Sequence, residues 1–136
     1  CLFSSVATDL VVDLQGSWDA AGGLVFRPVG PSRVLDTRGG SGVVPGRTVV
    51  VDVSGSVPVG AGAVTVNVTA VNSSAGGFVT AFGCGGPLPL TSNVNPQPGA
   101  AVANLSVVPL GSDGTICLFS SVATDLVVDL QGSWRT

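Results

Sequence analysis

Carboxylates, thiols and hydroxyls are the side chains of this 136-residue chain that could do chemistry. The sequence has eight Asp and three Cys but no His, Lys, Tyr, Glu or Met. These absences remove most general bases, the commonest metal ligand and the amine that forms Schiff bases. No Ser lies in a recognisable motif beside an activating base. The composition therefore predicts that the chain is not an enzyme and carries no cofactor.

The Asp-Thr-Arg triplet at Asp36 to Arg38 is the strongest candidate for a functional motif. On an extended strand Asp36 and Arg38 point to the same face, with Thr37 on the other. We interpret them as a structural ion pair that pins the first strand, in preference to a ligand site. Arg38 could reach Asp129 or Asp52 on a neighbouring strand, and Thr37 would satisfy a nearby backbone group.

Two further side-chain groups are weak candidates for binding. Asp125 and Asp129 share one strand face and could contribute to a Ca²⁺ site, which needs 6–8 oxygen ligands, although such a pair is more often solvated. A sugar site needs an aromatic platform, and aromatic residues make up only 5% of the chain. Trp134 and the polar row of Thr65, Asn67 and Thr69 are the candidates for it.

The overall composition excludes two classes of partner. The formal net charge is −3 and all five basic residues are Arg, whereas nucleic-acid binding needs clustered positive charge. Apolar residues make up 45% of the chain, but their uninterrupted runs fall far short of the roughly 20 residues that span a bilayer. We therefore expect no nucleic-acid partner and no membrane insertion.

The hydrophobic pattern predicts strands throughout. Ala63 to Val71 reads AVTVNVTAV, in which Val and polar residues alternate with the period of two of a half-buried strand. Similar stretches are separated by turn signals rich in Gly, Ser, Asp and Pro, and no segment has the helical period. Short strands spaced in this way predict an all-β domain: a single antiparallel β-sandwich, with a barrel as the alternative. The other predicted strands lie at 49–53, 78–82, 102–107, 115–119 and 125–131.

One segment occurs twice without change. Residues 1–18 read CLFSSVATDLVVDLQGSW, and residues 117–134 read the same. Eighteen identical positions predict a tandem array, in which residues 1–18 are the closing strands of the preceding repeat. Residues 19–23 then form a linker, residues 24–134 form a complete repeat domain, and residues 135–136 begin the next linker.

Several motifs together resemble a known domain. Phe26 to Arg38 reads FRPVGPSRVLDTR, Val57 to Thr69 reads VPVGAGAVTVNVT, and Thr124 to Gly132 reads TDLVVDLQG. This pattern resembles the tandem "LDTR…VVDxQG" all-β repeat domain of secreted and cell-surface actinobacterial proteins, across essentially all of residues 24–134. The resemblance implies a secreted, extracellular module and brings no catalytic residues. Shorter matching motifs lie at 84–85, 92–95, 102–104 and 108–114.

The extracellular setting that this resemblance implies gives the cysteines an interpretation. Cys1 and Cys117 are the same position in successive copies, so a complete domain owns Cys84 and Cys117. An oxidising environment favours a disulfide between them, whereas two free buried thiols are the alternative. Cys1 would then be free or would pair between molecules.

The chain fits two classes of function. The first is a structural or adhesive repeat module, a spacer or stalk at the cell surface, whose partners are neighbouring copies of the same repeat. The alternative is an accessory module of a secreted enzyme that binds carbohydrate or cell wall. Because residues 1–18 and 117–134 suit one position in the domain, the sequence also predicts possible strand exchange, including a strand-exchanged homo-oligomer.

Overall fold

The computed structural model describes residues 1–17, 19 and 21–136. Trp18 and Ala20, which belong to the predicted closing strands and linker, lie outside the described residues. The described part contains seven strands and no helix. They are β1 (Val25–Asp36), β2 (Arg47–Asp52), β3 (Ala61–Val71), β4 (Val79–Gly83), β5 (Val102–Pro109), β6 (Thr115–Ser120) and β7 (Asp125–Arg135).

The strands form two antiparallel sheets. One sheet has four strands in the order β1-β7-β3-β5, and the other has three in the order β2-β6-β4. Consecutive strands β6 and β7 therefore lie in different sheets, and each has a neighbour on both sides. The prediction of an all-β, disulfide-bridged sandwich is confirmed, with two sheets in place of the alternative barrel.

The core lies between the two sheets and consists largely of Val, Leu and Ile. In β3 the alternation read from the sequence places Val64, Val66 and Val68 inside, where all three are fully buried. In β6 and β7, Ile116, Leu118, Leu126 and Leu130 are equally buried. The β-branched side chains of Val and Ile pack well on a pleated sheet surface. Together with Leu they fill the core, which contains no aromatic residue among the fully buried side chains of the described residues.

The disulfide lies within the three-stranded sheet. Cys84 follows the end of β4 and is bonded to Cys117 of β6, with the two Cα atoms 5.1 Å apart. The bond fastens the edge strand β4 to the central strand β6, with which it also pairs directly. Cys1 is exposed and carries a free thiol.

Residues 1–17 form no strand, although their sequence forms β6 and β7 at the other end of the chain. Almost all of them are exposed. Two side chains contact the domain. Asp13 Oδ2 accepts a hydrogen bond from the backbone N–H of Ser92 at 3.1 Å, and Gln15 Oε1 accepts one from Val107 on the edge strand β5 at 3.2 Å.

Candidate functional site

A charged network lies where β1 runs beside β7. We call Arg33, Asp36, Arg38 and Asp129 the ionic cluster. Arg33 lies opposite Asp129 in the β1–β7 register, and its guanidinium donates to both carboxylate oxygens, at 2.9 and 3.2 Å. The same guanidinium lies 3.3 Å from Asp36 Oδ2. Arg33 thus bridges two carboxylates that would otherwise repel each other.

Arg38 completes the ionic cluster from the other side of Asp36. Its guanidinium donates to both Asp36 oxygens at 2.9 and 2.6 Å, and its backbone N–H donates to Asp36 Oδ1 at 3.1 Å. Asp36 and Arg38 therefore pair with each other, but Asp129 takes Arg33 as its partner where the sequence suggested Arg38. Asp52, the other suggested partner of Arg38, instead accepts a hydrogen bond from the backbone N–H of Ser54.

The electrostatics of the cluster favour the charged forms of Arg33, Asp36 and Arg38. Hydrogen bonds from the Arg38 side chain and backbone hold the pKa of Asp36 well below its ordinary value. The hydrogen bond to Asp129 raises the pKa of Arg33, and the hydrogen bond to Asp36 raises that of Arg38. A carboxylate held ionised by two guanidinium groups cannot act as a proton donor or acceptor near neutral pH.

Thr37 fixes the end of β1 to the start of β7. Its backbone N–H donates to the carbonyl of Leu126 at 3.0 Å, and its hydroxyl accepts the Leu126 N–H at 2.9 Å. The hydroxyl also donates to Asp125 Oδ1 at 3.1 Å, while Asn72 donates to Asp125 Oδ2 at 2.8 Å. The Asp-Thr-Arg triplet is thus built into the β1–β7 junction.

This arrangement bears directly on the calcium candidates. Both oxygens of Asp125 and both oxygens of Asp129 already accept hydrogen bonds from protein donors. A bound Ca²⁺ would have to displace Thr37, Asn72 or Arg33 to reach them. Within the described residues, no three His, Cys, Asp or Glu side chains are grouped so that they could hold a metal ion.

Trp134, the last residue but one of β7, forms an aromatic pair. Its ring packs against Phe26 of β1 with centroids 5.0 Å apart, and its Nε1–H donates to Thr65 Oγ1 at 2.8 Å. Phe26 also covers Gly132, where an added Cβ would lie 2.4 Å from the ring. From the sequence, Phe26 opens the motif that runs to Arg38 but is given no role at a site. The aromatic pair therefore closes one end of the β1–β7 junction, and the indole is engaged with the domain itself.

The polar row of β3 lies on the face of the four-stranded sheet that is turned away from the core. Thr65 is buried beneath Trp134, and Asn67 donates to Thr69 Oγ1 at 3.2 Å. Asn67 pairs in register with Asp129 on one side and with Leu105 on the other, and Leu105 is 57% exposed. The row therefore crosses a mixed polar and apolar surface in which part of its hydrogen-bonding capacity is used internally.

A cleft of about 770 Å³ lies where the N-terminal segment passes the aromatic end of the domain. Its lining includes Gln15, Leu24, Val107, Pro109 and Trp134. The polar side chains in its lining, Gln15, Ser17 and Asp19, all belong to the segment without strands, which forms one wall of the cleft.

The described residues contain no helix that is long and apolar enough to cross a membrane. The disulfide is typical of an oxidising extracellular environment. Comparison with protein-family models finds no match to the chain, and comparison with curated proteins finds no similar sequence.

Proposed function

We propose that this chain is a structural, adhesive repeat module of an extracellular tandem array, in which each unit serves as a spacer between its neighbours. The observation that carries the proposal is the exact duplication of residues 1–18 at residues 117–134. The second copy supplies most of β6 and nearly all of β7, which are the central strands of both sheets. A segment of that importance is repeated unchanged when whole domains are repeated.

The chemistry of the domain supports a structural role. The ionic cluster, the Thr37 contacts and the Trp134–Phe26 pair all hold β1 against β7. The charged side chains of the ionic cluster are thereby paired with one another, which suits a spacer better than an enzyme or a metal-dependent binder. The resemblance to secreted actinobacterial repeat domains is consistent with a cell-surface location, and neighbouring copies are the proposed partners.

Concatemers of the unit from Leu24 to Trp134, joined by residues 19–23, test the spacer role. One, two, three and four units would be compared by small-angle X-ray scattering. A spacer predicts that the maximum dimension grows by a constant increment with each unit. A maximum dimension that stops growing after two units would contradict it.

The alternative is a carbohydrate- or cell-wall-binding accessory module, and Trp134 beside the cleft is the observation that favours it. Binding of the chain to insoluble cell-wall polysaccharide would be measured with the wild type and with Trp134→Phe, which keeps an aromatic face. Saturable binding that Trp134→Ala abolishes and Trp134→Phe retains would replace the spacer proposal. The spacer proposal expects no saturable binding by any of the three proteins.

A further inference from the structure

The two copies of the repeated segment differ completely in their surroundings. We call residues 117–134 the closing segment and residues 1–18 the first copy. Leu118, Leu126 and Leu130 of the closing segment are fully buried. Their counterparts Leu2, Leu10 and Leu14 are 69%, 57% and 88% exposed. The first copy therefore exposes the same apolar side chains that the domain buries in the closing segment, which is unfavourable in water.

The position occupied by the closing segment is made entirely by other parts of the chain. Its β6 part lies between β2 and β4, and its β7 part lies between β1 and β3. None of these four strands belongs to either copy. Because the two copies are identical in sequence, the first copy would make every side-chain and ladder contact that the closing segment makes.

The first copy is also attached at the right place. The start of β1 lies beside the end of β7, and Val25 pairs with Arg135. If the first copy replaced the closing segment, Asp19 would stand opposite Val25 in place of Arg135. Residues 20–24 would then form the turn between these paired residues, which in antiparallel strands lie about 5 Å apart. A loop of five residues lies within the usual range for hairpins.

The closing segment is reached from β5 through residues 110–114. Because Thr115 and Ile116 belong to β6 in both arrangements, this loop is closed in both. The second arrangement adds only the closure of residues 20–24, a short loop whose closure entropy is correspondingly small. Thr115 and Ile116 precede the duplicated stretch and stay in β6 whichever copy follows them.

We infer that this chain folds into two interchangeable arrangements, in which the docking surface formed by β1, β2, β3 and β4 accepts either copy from within the same molecule. In the second arrangement the first copy forms β6 and β7, residues 117–136 are displaced, and Cys84 is bonded to Cys1. Oxidation of the two thiols by an added disulfide, such as oxidised glutathione, releases two thiols of reduced glutathione. The inference rests on sequence identity and strand geometry and does not depend on the proposed array.

Matched substitutions in the full chain test this. Leu14→Asp, Leu130→Asp and the double variant would be unfolded, reduced and refolded beside the wild type in a glutathione redox buffer. Thermal unfolding, gel filtration and non-reducing peptide mapping would then be measured. Each substitution also changes the mass of its own peptide, so hydrogen–deuterium exchange distinguishes the two otherwise identical copies.

Two interchangeable arrangements predict that both single variants fold as monomers and that only the double variant fails. In Leu130→Asp the first copy would be protected from exchange and Cys84 would be joined to Cys1. In Leu14→Asp the closing segment would be protected and Cys84 would be joined to Cys117. In the wild type both the Cys84–Cys1 and the Cys84–Cys117 disulfide would form, because the two identical copies present a cysteine at the same position of β6.

Some results would overturn the inference. Leu130→Asp that is as unfolded as the double variant would show that the first copy does not take the position. Leu130→Asp that folds only as a dimer would show exchange between molecules in place of exchange within one. A Cys1–Cys84 bond in Leu130→Asp without protection of the first copy would show that Cys1 merely reaches Cys84 from a segment that has not docked.

A second pair of substitutions, Gly132→Ala and Gly16→Ala, tests the same inference through steric conflict in place of a buried charge. An added Cβ at Gly132 would lie 2.4 Å from the Phe26 ring and 2.7 Å from the Arg27 carbonyl oxygen, whereas one at Gly16 meets nothing within 4 Å. Gly132→Ala should therefore direct the first copy into the domain and remain folded. Gly16→Ala should keep the closing segment there, and the double variant should lose most of its stability. Equal loss in Gly132→Ala and in the double variant would again overturn the inference.

Discussion

The same eighteen residues form two central strands at one end of the chain, and their first seventeen residues form no strand at the other. Leu130 is fully buried between the sheets, whereas its counterpart Leu14 is 88% exposed. Local propensity is equal in the two copies, so it cannot explain the difference. The strands on either side explain it: a strand persists where neighbours accept its backbone hydrogen bonds and cover its apolar face.

The largest effect is expected from a substitution that damages the neighbours of both copies. Val66 lies in β3, which pairs with β7, and is fully buried. Val66→Asp would bury an unpaired carboxylate, at a cost of several kcal/mol that is comparable with the whole stability of a small domain. Circular dichroism should show an unfolded chain. Val59→Asp, at a residue that is 96% exposed, is the control and should fold normally. A folded Val66→Asp would show that the two copies do not differ because of β3.

The second-largest loss of stability is expected from removal of the disulfide. Cys84 serves whichever copy enters the sheet, so Cys84→Ser should remove the crosslink in every arrangement. The separation of 33 residues corresponds to roughly 3–4 kcal/mol in the chain-entropy model. Urea unfolding should show a loss of this order, whereas Cys1→Ser should lose little because Cys117 remains. If Cys1→Ser lost as much as Cys84→Ser, Cys1 and not Cys117 would be the principal partner.

A smaller effect is expected from removal of the hydrogen bond between Trp134 and Thr65. Thr65→Val keeps the shape of the side chain but removes the hydroxyl that accepts the hydrogen bond of Trp134 Nε1. The expected loss is about 0.5–1.5 kcal/mol in thermal or urea unfolding, since the indole N–H is partly removed from water. Thr48→Val, on an exposed position of β2, is the matched control. Equal losses of stability in Thr65→Val and Thr48→Val would mean that the hydrogen bond between Trp134 and Thr65 does not stabilise the folded domain.

The smallest effect concerns the ionic cluster and depends on pH. Because the pKa of Asp36 is lowered in the folded state, its contribution to stability is fully present above its unfolded value of about 3.9. That contribution is lost as the pH falls through the lower folded value. Asp36→Asn should therefore melt slightly below the wild type at pH 7, and the gap should shrink below pH 4 and in high salt, since the cluster is exposed. A gap that grows on acidification would contradict this.

The sequence predicted the fold class because alternation and turn signals are local patterns. The disulfide was predicted from the extracellular setting that the family resemblance implies, with two free thiols as the alternative. Alternation located β3 at 63–71, against an observed span of Ala61–Val71, and located β6 to within a residue. β1 was not delimited, because Pro28, Gly30 and Pro31 interrupt its pattern. Its register shifts between Pro28 and Ser32, and as an edge strand it tolerates prolines that a central strand would not.

The partners within the ionic cluster were only partly predictable. Asp36 and Arg38 are close in sequence, so their pairing could be expected from alternation alone. The pairing of Arg33 with Asp129 joins residues 96 positions apart and depends on the β1–β7 register. A register between distant strands is set by tertiary packing, which a single sequence does not reveal. The signal that was present, an Arg three residues before Asp36, identifies the residue but not its partner.

The pairing of Val25 with Arg135 also has a mechanical consequence. A tension applied to the two ends of the domain would pull β1 and β7 apart from the same end, so their hydrogen bonds would break one after another and not all together. A domain loaded in this way yields at low force and lengthens under strain. The Cys84–Cys117 bond shields the residues between the two cysteines from the tension, because the load passes through the disulfide. In a series of such domains, each domain would lengthen under a sudden pull. The disulfide would limit how far each one extends.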